Sequence, residues 1–180
     1  VKILRIAVHN IASLAGMHVV DFTKEPLRSA GLYSISGATG AGKSTLLDAL
    51  CLALYNKTPR LQGIGALDTL DSGEKQKDTR SLLRRGSVEA FAEVSFVGID
   101  QQTWTARWSV RRSYRRVDGS LQDVEMSLYR GQKELESQCK PELAGRLKVV
   151  LQAIEQKIGL TFEQFTRAVL LAQNDFAAFL

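Results

Sequence analysis

Gly37-Ala38-Thr39-Gly40-Ala41-Gly42-Lys43-Ser44 fits the pattern G-x-x-x-x-G-K-[ST] without a mismatch. Its flanks decide what it can belong to. Leu32-Tyr33-Ser34-Ile35-Ser36 is a short β-rich run, so residues 31–36 are expected to form a strand. Thr45-Leu46-Leu47-Asp48-Ala49-Leu50-Cys51-Leu52-Ala53-Leu54-Tyr55 carries apolar residues at helical spacing and predicts a helix over 43–56. Strand, glycine-rich turn and helix in that order point to an α/β fold. Background frequencies give the eight-residue pattern by chance in roughly one chain in a hundred of this length.

The chemistry of the pattern is that of a phosphate cradle. Glycine lets the backbone turn its N–H groups inward and approach an anion that a side chain would hold away. The turn opens a helix, whose unpaired amides and dipole favour negative charge. Gly37, Ala38, Thr39, Gly40, Ala41, Gly42, Lys43, Ser44 and Thr45 are therefore the candidate nucleotide-binding residues. Lys43 is expected to reach the β- and γ-phosphates, and the Ser44 hydroxyl to ligate Mg²⁺.

With 180 residues the chain can hold one full domain or a lobe of a larger one. Hydrophobic residues at 44% and charged residues at 24% are ordinary for a globular protein. No apolar run approaches membrane-spanning length, and the start of the chain alternates like a strand, so a cytoplasmic protein without a membrane partner is expected. Cys51 and Cys139 have no metal-type spacing and read as reduced thiols. A net charge of +5 suits a polyanionic partner. Arg111, Arg112, Arg115 and Arg116 concentrate that charge around Tyr114. They fit a solvated basic hairpin protecting a sheet edge as well as a phosphate-binding patch.

Residues 2–8 and 16–22 read as two strands of a hairpin. Residues 57–88 turn polar and glycine-rich and suggest a mobile surface loop, with a short helix near 80–84. Antiparallel strands follow at 90–97, 103–111 and 124–129, with turns at 98–101 and 117–120. Trp104 and Trp108 share a strand face and read as core. A helix is expected over 142–158, stopped by Gly159, and another from 162 to about 171, capped by Thr161. Asp48 and Tyr55 read as helix-packing or capping residues, and His9 and His18 show no metal pattern.

Leu4-x5-Asn10-Ile11-x-Ser13-Leu14-x-Gly16, then Val20-Asp21-Phe22, resembles the N-terminal ATPase lobe of the SbcC-type DNA repair family. That family lies within the wider structural-maintenance-of-chromosomes (SMC) group. Tyr33 to Tyr55, Thr58-Pro59-Arg60 and the run Phe165 to Leu180 are similar to it in the same order. The resemblance implies an ATP-binding-cassette type head. Its N-terminal lobe combines an antiparallel β-subdomain, the phosphate-loop helix and C-terminal helices. It further implies that Gln173 contacts Mg²⁺ or the attacking water, and that Ala12 and Ser13 lie against the nucleotide. Arg84-Arg85-Gly86 also fall where related heads carry an arginine near it. Asn174-Asp175 departs from the glycine that often follows this glutamine and suggests a stiffer loop.

By the same resemblance the head would be completed by a C-terminal lobe, with a coiled coil between the halves. No apolar strand ending in Asp-Glu occurs here, so slow hydrolysis at most is expected from the chain alone. Residues 1–180 would be the N-terminal half of the head, ending before the coiled coil. Expected partners are that C-terminal lobe, an SbcD-like nuclease subunit, a second head across sandwiched ATP, and double-stranded DNA, in a nucleoid-associated protein. A transporter-type ATPase fragment and a DNA-binding module with a vestigial phosphate loop are the alternatives.

Overall fold

A computed structural model of the chain describes residues 1–30, 33–63, 78–132 and 140–168. Strands β1 (Lys2–Ile11), β2 (Leu14–Asp21), β3 (Glu89–Val97), β4 (Thr103–Arg111), β5 (Glu125–Arg130) and β6 (Leu143–Ala144) form one sheet in the order β2-β1-β3-β4-β5-β6. Every pairing is antiparallel. Helices α1 (Lys43–Tyr55), α2 (Pro59–Gly63), α3 (Leu147–Ile158) and α4 (Phe162–Ala168) complete the regular elements. Among the described residues no helix is long and apolar enough to cross a membrane.

Alternation along the strands sorts the side chains into two faces. The register puts Val8, Ala92 and Trp108 in one row and Ile6, Val94 and Ala106 in another. All are buried in a single core shared with α1, α3 and α4. Trp108 donates its indole N–H to Asn56 Oδ1 at 2.8 Å, which satisfies the one polar atom of a fully buried ring. The opposite face is polar yet buried at its centre. Ala7, Glu93 and Arg107 are paired across three strands. Glu93, only 1% exposed, takes Arg5 at 3.1 Å on one oxygen and Arg107 at 3.1 Å on the other. Burying a carboxyl group at that depth is costly without such partners.

Helix α1 is buried on nearly all sides, from Asp48 to Tyr55 without a break, because it lies between the sheet and α3. Asn56 in the left-handed region closes it, with its N–H on Leu52 O. The Tyr55 hydroxyl donates to Leu160 O at 3.0 Å, and its ring meets Phe162 and Phe165. Thr161 and Gln164 cap α4 reciprocally: Gln164 N–H donates to Thr161 Oγ1, and Thr161 N–H to Gln164 Oε1.

Two expectations are corrected. Residues 142–146 are not helical. Leu143 and Ala144 pair with Leu128 and Ser127, Gly145 turns the chain at φ 113°, and α3 starts only at Leu147. The glycine conformation and the open hydrogen-bonding edge of β5 override the apolar spacing. The strand expected over 31–36 is also absent from the described residues 33–36. A strand needs a hydrogen-bonded neighbour, and none of the six strands runs beside this segment. Tyr33 instead donates its hydroxyl to Leu27 O and sets its ring edge against Phe22. In the long connection, Pro59–Gly63 is helical and Thr79–Leu82 forms one 3-10 turn. Residues 64–77 lie outside the described residues, as does Cys139.

Candidate nucleotide-binding site

The phosphate loop gets its shape from glycines in backbone conformations that other residues avoid. Gly40 has φ 84° and Gly42 φ 93°. Gly42 is also the N-cap of α1, and a Cβ there would meet Leu14 Cδ2 at 2.5 Å. Glycine is therefore required twice over at this position. Lys43 folds back across the loop, its ammonium donating to Gly37 O at 2.7 Å and Ala38 O at 2.8 Å. Among the described residues no side chain caps the first turn of α1, and no acid sits in it. Ser44 is exposed at the same helix start. Open first-turn amides, one ammonium and a free-facing hydroxyl form a donor set matched to a polyphosphate with its magnesium ion.

The loop between β1 and β2 is stapled onto this cradle. Ser13 Oγ and Thr45 Oγ1 are 3.0 Å apart. Asn10 closes the turn by accepting the Gly16 N–H on Oδ1 at 2.8 Å. Arg84 reaches across from the long connection and donates one guanidinium nitrogen to Ala12 O at 3.1 Å and Ser13 O at 3.0 Å. Backbone bonds from Ala12 N to Leu82 O and from Arg84 N to Asn10 O tie the same segments together. Ala12, Ser81, Leu83, Arg84 and Arg85 line a cleft of about 350 Å³ beside this loop. The larger groove of about 770 Å³ runs along α3 and α4 and shares none of these residues.

Asp48 lies one turn beyond Ser44 on α1, 3% exposed and paired with Arg60 of α2. Burial pushes its carboxyl up to about 6, against the pull of the Arg60 charge. The run Thr58-Pro59-Arg60 was the available signal for this pair, but nothing in the spacing connects it to Asp48. Burial likewise drives the Cys51 thiol up to about 12, which leaves it inert at neutral pH.

The sequence-predicted residues divide into three groups. Ala12, Ser13, residues 37–44 and Thr45 come together in one place. Gln173 lies outside the described residues. Arg111, Arg112, Arg115 and Arg116 gather at the far end of β4, where Arg112 N–H bonds Val88 O just ahead of β3. That is the same end of the sheet as the Ala12–Ser13 loop, two strands over. Arg111 pairs with Glu125, Arg116 with Asp118, and Arg112 turns inward to Gly119 O.

Known proteins are similar to this chain over nearly all of its length. The SbcC subunit of the nuclease SbcCD from Pseudomonas aeruginosa is 52% identical over 99% of this chain and 15% of its own length. Its counterpart of the same name from Rhodobacter capsulatus is 44% identical over 99% of the chain and 14% of its own length. The probable DNA double-strand break repair Rad50 ATPase of Aquifex aeolicus is 30% identical over 90% of the chain and 13% of its own length. The chain thus spans only 15% and 14% of the first two relatives. A solved chain from work on ATP-driven dimerization and DNA-stimulated activation of SMC ATPases shares the fold. It aligns with a TM-score of 0.61 and 17% identity, over 99% of this chain and 90% of that one. A family model described as an AAA domain matches residues 5–180, which take in the glycine loop, the stapled Ala12–Ser13 turn and all of the sheet but the first three residues of β1. The chain belongs to that AAA domain family.

Proposed function

We propose that this chain binds ATP with Mg²⁺ and forms the N-terminal half of an ATPase head in a DNA-repair nuclease subunit. The observation that carries the reading is Lys43, whose ammonium bridges Gly37 O and Ala38 O at the uncapped start of α1. To reach phosphate oxygens it exchanges those two acceptors for stronger, charged ones. Ser44 holds Mg²⁺, which offsets charge on the phosphate chain. Ala12 and Ser13 bound the nucleotide on the side of the Arg84 clamp, and Thr45 keeps that loop in register through Ser13. Gln173 orients water or the metal, a role supported by the motif around it.

The remaining parts of the reading concern a longer protein. The head is completed by its own C-terminal lobe, which supplies the acidic residues missing here. Two such heads sandwich ATP and thereby regulate an SbcD-like nuclease subunit on double-stranded DNA, in the cytoplasm. Arg111, Arg112, Arg115 and Arg116 are the proposed DNA contacts. The relatives are nuclease subunits and a repair ATPase by name, which favours this over a transporter-type cassette. The intact cradle geometry favours it over a vestigial loop.

Isothermal titration with ATPγS and Mg²⁺ tests the core of it. The chain is expected to release heat on binding, and Lys43→Ala to weaken affinity by at least tenfold, about 1.4 kcal/mol. Equal affinity for both proteins overturns the reading.

A further inference from the structure

Tyr114 is the most exposed large apolar side chain of the described residues, at 93%, in a loop that is anything but loose. Ser113 N–H bonds Ser120 O at 2.8 Å, Gly119 N–H bonds Arg116 O at 2.9 Å, and Arg112 donates to Gly119 O at 2.9 Å. A Cβ on Gly119 would stand 2.3 Å from Ser113 O, so the loop closes only with glycine there. Within this brace Tyr114 has φ 54° and Arg115 φ 51°, two successive left-handed residues that carry a Cβ. Such strain persists only where the surroundings impose it, and it gathers at functional positions. Here the imposed conformation holds an aromatic ring out in solvent.

The charge around the ring selects its partner. Four arginines and a single acid, Asp118, lie between 111 and 118. The Arg116–Asp118 and Arg111–Glu125 pairs are both well exposed, so a phosphate can displace either carboxylate at little cost. Arg115 is exposed and makes no ion pair among the described residues. Guanidinium groups on phosphates around an aromatic platform are the means by which proteins hold unpaired nucleotides.

We propose that the 112–120 loop is a nucleic-acid contact in which the Tyr114 ring stacks on an unpaired or terminal base while Arg111, Arg115 and Arg116 take the flanking phosphates. This rests on the DNA reading of the arginines and adds to it a preference for ends and single-stranded tails. The loop shares its end of the sheet with the Arg84-clamped nucleotide loop. The base and the ATP are therefore held on one rim.

Fluorescence anisotropy on the full chain at low salt tests this with two probes: a labelled duplex carrying a single-stranded tail, and a closed circle without ends. Tyr114→Ala is expected to lose about tenfold or more on the tailed duplex and nothing on the circle. Tyr114→Phe keeps the ring and should bind as the unaltered chain does. The double change Arg115→Ala, Arg116→Ala should weaken both probes and lower the slope of log affinity against log salt by about two. If Tyr114→Ala matches the unaltered chain on the tailed duplex while the arginine changes weaken it, stacking is refuted and the phosphate contacts stand. If neither probe binds the unaltered chain, both readings fall. A Tyr114→Ala change that spares DNA but releases a purified SbcD-like subunit would make the loop a protein-docking surface and overturn the proposal. Unchanged melting temperatures check that each variant folds.

Discussion

Asp48 sets a pH dependence that one substitution can isolate. Its carboxyl titrates near 6 in the folded chain against an ordinary value of 3.8, chiefly because it is buried. Between those values the native state binds more protons than the unfolded one, so stability falls as pH rises. The shift corresponds to about 3 kcal/mol, present in full below pH 4 and lost by the time pH passes 6. Asp78 and Asp21 are shifted down by their partners and contribute in the opposite direction, gaining as pH rises. Asp48→Asn should therefore flatten the fall in melting temperature between pH 4 and 6 and leave the chain at least as stable at pH 7. A profile identical to that of the unaltered chain would show that Asp48 ionises freely. The neighbouring Arg60 charge keeps the penalty moderate, which is why the carboxylate is tolerated at all.

Among the elements, the Arg84 clamp matters most for the proposed site. Ala12 O and Ser13 O lose their shared guanidinium donor in Arg84→Ala, while the backbone bridge between Ile11 and Leu83 stays. The expected result is a several-fold loss of ATPγS affinity with little change in melting temperature, as fits a loss of about 1 kcal/mol. Equal affinity would mean that the Ser13–Thr45 contact and the backbone bonds hold the loop without the guanidinium. This clamp marks the limit of what the sequence discloses. Strands β3 and β4 are legible almost to the residue, because period-two alternation persists for nine residues between clear turns. The glycine turn at the start of α1 is legible because its pattern occupies adjacent residues. Arg84 to Ser13 spans seventy-one positions, and no local pattern encodes a contact of that range. Leu143 misleads for the opposite reason: it sits at correct helical spacing, but Gly145 breaks the backbone before the helix begins. Residues 33–36 have the composition of a strand and lack a neighbour to pair with among the described residues, a condition that only the assembled sheet reveals.

At the scale of the molecule, two faces of one sheet are stabilised by different physics. The helix-covered face is a continuous apolar core centred on Trp108, Phe96 and α1. The other is held by Glu93 between two arginines. Glu93→Gln leaves two guanidinium groups facing each other across a buried site, and is expected to destabilise the chain by about 3 kcal/mol in urea unfolding. A change under 1 kcal/mol would mean that solvent reaches Arg107 well enough to do without its partner.

The hydroxyl of Tyr55, bonded to Leu160 O, gives the architecture a mechanical property. Thirteen residues of α1 make a stiff rod about 20 Å long, anchored in the glycine turn at one end and bolted to the base of α4 at the other. A tilt imposed at the glycine turn is carried along the rod to the residues that open α4.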